Sequence, residues 1–205
     1  MWNASRITAN YVEEHANTIV QGKTILELGA GAGLPSLVCA LNGARKVVVT
    51  DYPDQDLIEN LQINLEQSDL SNVVAEGYVW GKSPDALIAH LEEKTGFDLL
   101  ILADLLFNHS EHAKLVFSVQ STLKRSPHAR ALVFFTPHRP WLFNEDMAFF
   151  DLAKEGGFVV EKVLEEKMEA VMKTDGPLRV SIHDGGDEPE RKIVYGYELR
   201  WADLG

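Results

Sequence analysis

The stretch "TILELGAGAGLPSLVCALNGARKVVVTDYP", from Thr24 to Pro53, decides the fold. It joins an apolar run, a glycine-rich turn, a helical pattern and a second apolar run that ends in Asp51. In an open α/β sheet, ligands bind at the carboxyl ends of the strands. Glycines there allow a sharp turn and let a ligand approach the backbone. The stretch therefore predicts a nucleotide-type ligand held between a glycine loop and Asp51.

The spacing of the glycines narrows the ligand class. The loop from Gly29 to Gly33 reads G-x-G-x-G, and Leu34 stands where a dinucleotide fingerprint requires its third glycine. Asp51 comes 22 residues after Gly29 (51 − 29) and can accept hydrogen bonds from both ribose hydroxyls of an adenosine. Its charge disfavours a 2′-phosphate and so argues against NADP. The alternative that Asp51 caps a helix starting near Asp54 stays open.

Strand-like and helical patterns alternate along the chain. The strand-like runs are TILEL (24–28), KVVVTD (46–51), NVVAEGYVW (72–80), FDLLILAD (97–104), RALVFFTP (130–137), FVVEKVLEE (158–166) and KIVYGYELRW (192–201). The helical patterns span Asn3 to Val20, Leu34 to Asn42, Gln55 to Gln67, Pro84 to Lys94, Glu111 to Lys124 and Glu145 to Glu155. Ser83 and Asn144 are the expected N-caps of the helices that follow them.

This alternation predicts an α/β fold with a Rossmann-like, mostly parallel seven-stranded sheet and helices on both faces. The run FDLLILAD is almost wholly apolar and is expected to be a central strand. The last two runs follow each other without a clear helix, so they predict an antiparallel pair at one edge. Residues 172–192 between them have a loop-like, charged composition. Without repeats or linkers, residues 1–205 are expected to form a single domain.

Composition and charge exclude several functional classes. The net charge of −12 argues against a nucleic-acid partner and suits a basic protein or substrate, although acidity that serves only solubility stays an alternative. The single Cys39 permits no internal disulfide and suits a reducing compartment. No apolar run is long enough for a membrane span, and the N-terminus lacks a signal peptide pattern. We expect a cytoplasmic monomer without a membrane partner.

Further segments narrow the identity. "ILELGAGAGLPSL" followed by "VVVTDYP" resembles the seven-strand S-adenosylmethionine-dependent methyltransferases. "WNAS" (2–5), "YVWGK" (78–82) and "ADLLFNHSEH" (103–112) resemble their family sixteen, the protein-lysine methyltransferases. The last segment carries the family motif D-x-x-[FY] as Asp104 and Phe107. The resemblance covers most of the chain and implies S-adenosylmethionine as cofactor.

The resemblance also implies the site residues. Cofactor contacts are expected from Trp2, Glu27, Gly29, Ala30, Gly31, Asp51, Tyr52, Trp80 and Ala103, with Trp80 along the adenine. Asp104, Phe107 and Asn108 are the expected catalytic, substrate-channel residues. The alternatives are core packing for either tryptophan, ordinary strand packing for Ala103 and a helix cap for Asn108.

Physical chemistry supports an amine substrate at this strand end. The Asp104 carboxylate can orient an amine, and the Phe107 ring favours a cationic or partly charged form. His109 is a weaker substrate-channel candidate, and with His112 it has the spacing of a metal pair. No third ligand has suitable spacing and methyl transfer needs no metal, so we expect none. His138 is expected at the same rim, in an interior or surface role rather than a catalytic one.

The segments "LFNHSEH", "FFTPHRP" and "MKTDG" point to one branch of the family. They resemble the fungal branch that methylates the N-terminal glycine and adjacent lysine of translation elongation factor 1-alpha, a branch also labelled nicotinamide N-methyltransferase. A small-amine methyltransferase, an NAD-dependent oxidoreductase and a non-catalytic binding module are the alternatives. Related proteins carry additional N-terminal sequence, which leaves open a shortened N-terminus here.

Overall fold

The computed structural model describes residues 3–168 and 193–204. Its strands are Thr24–Leu28 (β1), Lys46–Asp51 (β2), Val73–Gly77 (β3), Leu99–Ala103 (β4), Arg130–Phe135 (β5), Phe158–Lys167 (β6) and Ile193–Trp201 (β7). Its helices are Asn3–Glu14 (α1), Ala16–Ile19 (α2), Leu34–Leu41 (α3), Gln55–Glu66 (α4), Asp85–Ile88 (α5), His112–Thr122 (α6) and Phe143–Glu155 (α7). Trp2 and the segment 172–192 lie outside the described residues.

The described strands form a seven-stranded sheet in the order β3-β2-β1-β4-β5-β7-β6. Strands β1 to β5 pair in parallel, and β7 runs antiparallel to both β5 and β6. The predicted mostly parallel sheet with an antiparallel edge pair is therefore confirmed. Within the residues described, no helix has both the length and the apolar character needed to cross a membrane.

Helices cover both faces of the sheet because the central strands are apolar on both sides. All five residues of β1 are buried, and so are the first four of β4. On one face, Leu26 and Leu28 belong to a core that includes Leu115 of α6 and Phe149 of α7. On the other face, α1, α3 and α4 contribute to a second core through residues that include Ile7, Cys39 and Leu61. The N-terminal helix is thus part of the sheet's cover.

Strand order reverses at β1, which lies between β2 and β4. The chain moves outward from β1 through β2 to β3, and then returns to place β4 on the other side of β1. At such a switch point the loops that leave adjacent strands diverge and open a crevice. The glycine loop after β1 and Asp104 after β4 therefore lie at the same edge of the sheet.

Several predicted bounds were wrong, mostly around this crevice. The strand expected over 72–80 ends at Gly77, and the helix expected over 84–94 is reduced to α5. Ser83 still accepts a bond from the backbone N–H of Asp85, at 3.3 Å. His15 interrupts the first helix between α1 and α2. Helix α7 begins two residues early, after a 3₁₀ turn at Pro140–Leu142, so Asn144 lies inside it and is not its N-cap.

The antiparallel edge pair is anchored by Trp201 at the end of β7. The Trp201 side chain is buried, and its ring centroid lies 4.4 Å from that of Phe158 in β6. Its indole N–H donates to the carbonyl oxygen of Lys124 at 3.0 Å, and the Arg125 guanidinium lies 4.1 Å from the ring centroid. One side chain therefore joins both edge strands to the segment that follows α6.

We expect Trp201→Ala to lower the free energy of unfolding by about 3 to 5 kcal/mol, because it leaves a cavity and an unpaired carbonyl. Trp141→Ala is the matched control, since the Trp141 side chain is 64% exposed. It should cost less than about 1 kcal/mol. Denaturant unfolding followed by circular dichroism measures both, and equal losses would contradict the anchoring role.

Candidate active site

The glycine loop turns directly after β1. Gly29 and Gly31 have φ angles of +62° and +55°, in the left-handed region that favours glycine. A Cβ atom on Gly29 would lie 2.6 Å from Leu105 Cδ2, so a side chain there would displace Leu105. A Cβ atom on Gly31 would meet nothing within 4 Å. The loop is therefore packed at its start and open at Gly31, where a ligand can reach the backbone.

Glu27 lies in β1, two residues before the loop, and is 1% exposed. Its Oε2 atom accepts hydrogen bonds from the Ser36 backbone N–H, at 3.0 Å, and from the Ser36 hydroxyl. Burial raises the pKa of the Glu27 carboxyl to about 8, and the charge of Asp51 adds to this, although the bonds from Ser36 oppose it. Glu27 therefore ties β1 to the first turn of α3, a contact that sequence reasoning did not anticipate.

Asp51 at the end of β2 faces the glycine loop. Its Oδ2 atom accepts from the Gly31 N–H at 2.7 Å, and its Oδ1 atom accepts from the Tyr52 N–H at 2.7 Å. Asp54, and not Asp51, caps α4 by accepting from the N–H groups at its start. The helix-cap alternative for Asp51 is therefore wrong. A carboxylate has about four acceptor positions, so further donors can still bind.

Two cavities flank the Trp80 side chain at this edge. The first, of about 250 Å³, is lined by residues that include Gly29, Ala30, Gly31, Asp51, Trp80, Ala103, Asp104 and Phe107. The second, of about 380 Å³, is lined by residues that include Asp51, Tyr52, Trp80 and Asn108. The structure thus brings together every predicted site residue except two. Glu27 lines neither cavity, and Trp2 lies outside the described residues.

Asp104 leaves β4 in an uncommon backbone conformation, with φ at +63°. Its side chain is 5% exposed. The Oδ1 atom accepts from the Thr136 backbone N–H at 2.9 Å. The buried Oδ2 atom has no hydrogen-bond donor among residues 3–168 and 193–204. His138 Nε2 lies 3.2 Å from Oδ2, but without hydrogen-bond alignment. One oxygen of Asp104, a residue that lines the first cavity, is therefore a buried acceptor without a donor in the described part of the chain.

The loop after Asp104 is held by contacts from neighbouring elements. His109 Nε2 lies 2.7 Å from Asp146 Oδ1 in α7, and the Arg139 guanidinium donates to the Phe107 carbonyl. His112 Nε2 donates to the Leu106 carbonyl at 2.8 Å. The contacts of His109 and His112 therefore hold the loop in place. No group of three or more metal-ligating side chains occurs in the described part of the chain.

Burial changes the protonation of the groups behind this loop. It raises the pKa of the Asp146 carboxyl, while the hydrogen bond from His109 opposes that change. It lowers the pKa of His112 and so favours the neutral ring that donates to the backbone. The Phe107 side chain is 54% exposed at the mouth of the first cavity. Buried groups thus hold the base of the loop, and the exposed Phe107 ring lies at its rim.

The donor set fits a two-part ligand such as S-adenosylmethionine. The two cavities share Asp51 and Trp80, and the second, of about 380 Å³, has a size found in small-molecule sites. A carboxylate suits a ribose diol, an indole face suits a purine, and the open Gly31 backbone suits a polar amino-acid tail. The residues present are therefore compatible with the cofactor that the sequence implies.

Comparison with known proteins identifies the family. Residues 1–156 match the family model described as lysine methyltransferase. The chain belongs to this lysine methyltransferase family. The protein N-terminal and lysine N-methyltransferase of Neurospora crassa is 49% identical to it, over 98% of this chain and 72% of that protein. The protein of the same name from Emericella nidulans is 46% identical, over 99% of this chain and 79% of that protein.

Solved structures support the fold of this lysine methyltransferase. The crystal structure of an S-adenosylmethionine-dependent methyltransferase from Aquifex aeolicus has a TM-score of 0.62. The match covers 96% of this chain and 93% of the Aquifex aeolicus chain, at 17% sequence identity. At that identity, the likeness concerns the fold alone. The likeness therefore supports the overall α/β fold.

The buried Glu27 predicts a pH dependence of the enzyme's stability. Its folded pKa of about 8 exceeds the ordinary 4.5, so the native state keeps a proton that the unfolded state loses between these values. Stability should therefore fall as pH rises through this window, by at most about 1.4 kcal/mol per pH unit.

Glu27→Gln removes the titration and keeps an oxygen that can accept from Ser36. Its stability relative to the parent enzyme should increase with pH, as measured by urea unfolding at about pH 5, 6.5 and 8. Glu66→Gln, at an exposed position of α4, should follow the parent at every pH. Parallel curves for Glu27→Gln and its parent would show that Glu27 is ionised throughout.

Proposed function

We propose that the chain is an S-adenosylmethionine-dependent protein N-methyltransferase. Its proposed substrates are the N-terminal glycine and a nearby lysine of translation elongation factor 1-alpha. The observation that carries this proposal is the buried oxygen of Asp104 that lacks a hydrogen-bond donor among the described residues, in a residue that lines one of two adjoining cavities at one sheet edge. The names of the relatives support both kinds of amine, and the branch resemblance supports the elongation factor.

On the cofactor side, each proposed contact has a physical basis. The Asp51 carboxylate accepts from the ribose hydroxyls, and the Trp80 indole packs against the adenine. The small Ala103 leaves room beside the open backbone at Gly31. The bound cofactor supplies a methyl group already activated on a sulfonium. The protein therefore mainly has to align an amine nitrogen and keep water out.

On the substrate side, the burial of Asp104 makes its charge effective. A carboxylate attracts a cationic amine more strongly at low dielectric than in water. Phe107 at the mouth adds a ring face for a cation, and the net charge of −12 suits a basic partner. The reacting amine must be neutral, and an α-amino group, with pKa about 7.7 to 8, loses its proton more readily than lysine at about 10.4.

We further propose that residues 1–205 act as a single domain, as a monomer and in the cytoplasm. The low cysteine content supports a reducing compartment, and the acidic charge disfavours nucleic acid as a partner.

Nicotinamide is the competing substrate, because the branch that this sequence resembles is also labelled nicotinamide N-methyltransferase. Nicotinamide is uncharged, so the carboxylate of Asp104 would contribute little to its binding free energy.

The cofactor assignment predicts a large effect of Asp51→Ala. Losing two charge-assisted ribose bonds should weaken S-adenosylmethionine binding by about 2 to 3 kcal/mol in isothermal calorimetry. Asp54→Ala is the matched control, because Asp54 caps α4 and lines neither cavity. It should lower the melting temperature and spare cofactor binding. Unchanged affinity in Asp51→Ala would remove the ribose assignment.

The substrate assignment predicts that Asp104→Asn spares cofactor affinity but lowers methylation of elongation factor 1-alpha by about 100-fold or more. Asparagine tolerates the positive φ and can still accept from Thr136. Its NH₂ group stands where the amine has to donate. Asp151→Asn, an equal charge change on an exposed side chain, is the control. Intact mass and labelled methyl incorporation give the rates.

The dependence of methylation on salt concentration distinguishes a protein substrate from nicotinamide. Raising ionic strength should weaken the apparent affinity for the elongation factor, because exposed charges are screened over about 10 Å at 0.1 M. Methylation of nicotinamide should respond little. Rapid methylation of nicotinamide with an unchanged mass of the elongation factor would replace the protein-substrate proposal.

A further inference from the structure

The carboxylate of Asp104 cannot by itself prepare an amine for attack. A negative charge beside an amine favours the protonated form and raises the amine pKa. Asp104 therefore binds an ammonium group well and at the same time opposes the loss of its proton. This opposition is greatest for lysine, whose unperturbed pKa is already about 10.4. A site that methylates lysine needs a second group beside Asp104 that can take the proton.

His138 is positioned to be that group. Its Nε2 atom lies 3.2 Å from Asp104 Oδ2, the oxygen that has no hydrogen-bond donor within residues 3–168 and 193–204. Oδ2 is buried, so an ammonium could donate to it only after a local side-chain movement; there, a second N–H would lie within reach of the imidazole. His138 comes from the loop after β5, whereas Asp104 ends β4, so two neighbouring strand ends converge on one point. The side chain is 33% exposed and can therefore exchange protons with solvent.

We propose that His138 accepts the proton that the substrate ammonium must lose before each methyl transfer. This inference rests on the proposed function and names a further residue for it. The neutral imidazole takes a proton from the ammonium and becomes imidazolium, which leaves a neutral amine on Asp104. The amine lone pair then forms the new N–C bond while the C–S electron pair stays on sulfur. The imidazolium returns its proton to water, so the step can repeat for a second methyl group.

The surrounding charges are compatible with this role. Asp104 is the carboxylate at 3.2 Å from the His138 ring, and Arg139 follows His138 in the chain. The Arg139 guanidinium is engaged by the Phe107 carbonyl. The carboxylate of Asp146 is engaged by His109. A substrate cation at Asp104 would disfavour a second positive charge on the neighbouring imidazole, an electrostatic coupling that the third test measures.

The first test is the pH dependence of single-turnover methylation by His138→Gln. Glutamine keeps a polar side chain but cannot accept the proton. At neutral pH the lysine rate should fall by about 100-fold, while the N-terminal amine loses less, and both should recover as pH rises toward the amine pKa. His128→Gln, the same change at an exposed position before β5, should behave as the parent. An equal loss at every pH would reduce His138 to a structural role and overturn the proposal.

A second variant covers the case in which His138→Gln misfolds. His138→Ala opens space at a partly exposed position, so added imidazole should restore lysine methylation in a concentration-dependent way. Absence of rescue in a protein with the parent's melting temperature would count against proton transfer. If the parent enzyme methylates no protein amine, the proposed function is contradicted. The third test then decides separately whether an ammonium at Asp104 reaches His138.

The third test needs no methyl transfer. The proton–carbon ring signals of His138, assigned by their absence in His138→Gln, are followed against pH with and without n-butylammonium. Binding of this cation at Asp104 should move the ring's titration to lower pH in the parent protein. The displacement should vanish in Asp104→Asn. An unchanged titration in the parent under saturating n-butylammonium would show that the ammonium does not reach His138 and would overturn the proposal.

Discussion

The parallel pairing of β1 with β2 on one side and β4 on the other is the constraint on which the site depends. Because all three strands run the same way, their carboxyl ends open at one edge. Asp51, the glycine loop and Asp104 come from segments far apart in sequence, and only this pairing brings them to a shared cavity. The antiparallel strands β6 and β7 lie beyond β5, at the edge of the sheet, and do not interrupt the pairing of β2, β1 and β4.

Much of the fold could be predicted from local patterns. The bounds of β1 and β2 agree with the predicted runs because short apolar segments between turn residues have few alternatives. Agreement was poorer between Gly77 and Asp98, where the chain follows the ligand crevice and makes irregular turns. Helix α5 has only four residues although its sequence is compatible with a longer helix. Tertiary context overrode local propensity there.

In the candidate site too, local motifs allowed some residues to be predicted, whereas contacts that depend on the tertiary structure could not be. Asp51, Trp80 and Asp104 could be predicted because they follow strands within recognisable motifs. His138 was expected at the same rim, but its contact with Asp104 could not be predicted, because no local signal reports a contact between residues 34 positions apart (138 − 104). The same holds for the bond between His109 and Asp146. Glu27 was predicted as a cofactor contact, but it lines neither cavity, and its bond with Ser36 depends on how α3 starts.

The left-handed backbone at Asp104 has a consequence for how this position can vary in evolution. A residue at φ +63° must tolerate that conformation, which favours glycine, asparagine and aspartate over longer side chains. The proposed role in binding an ammonium adds a second requirement, a carboxylate, which glycine and asparagine lack. Aspartate meets both requirements, whereas glutamate carries the charge but is disfavoured by the backbone conformation. If the proposed role holds, few substitutions at position 104 would keep both the fold of this turn and the charge.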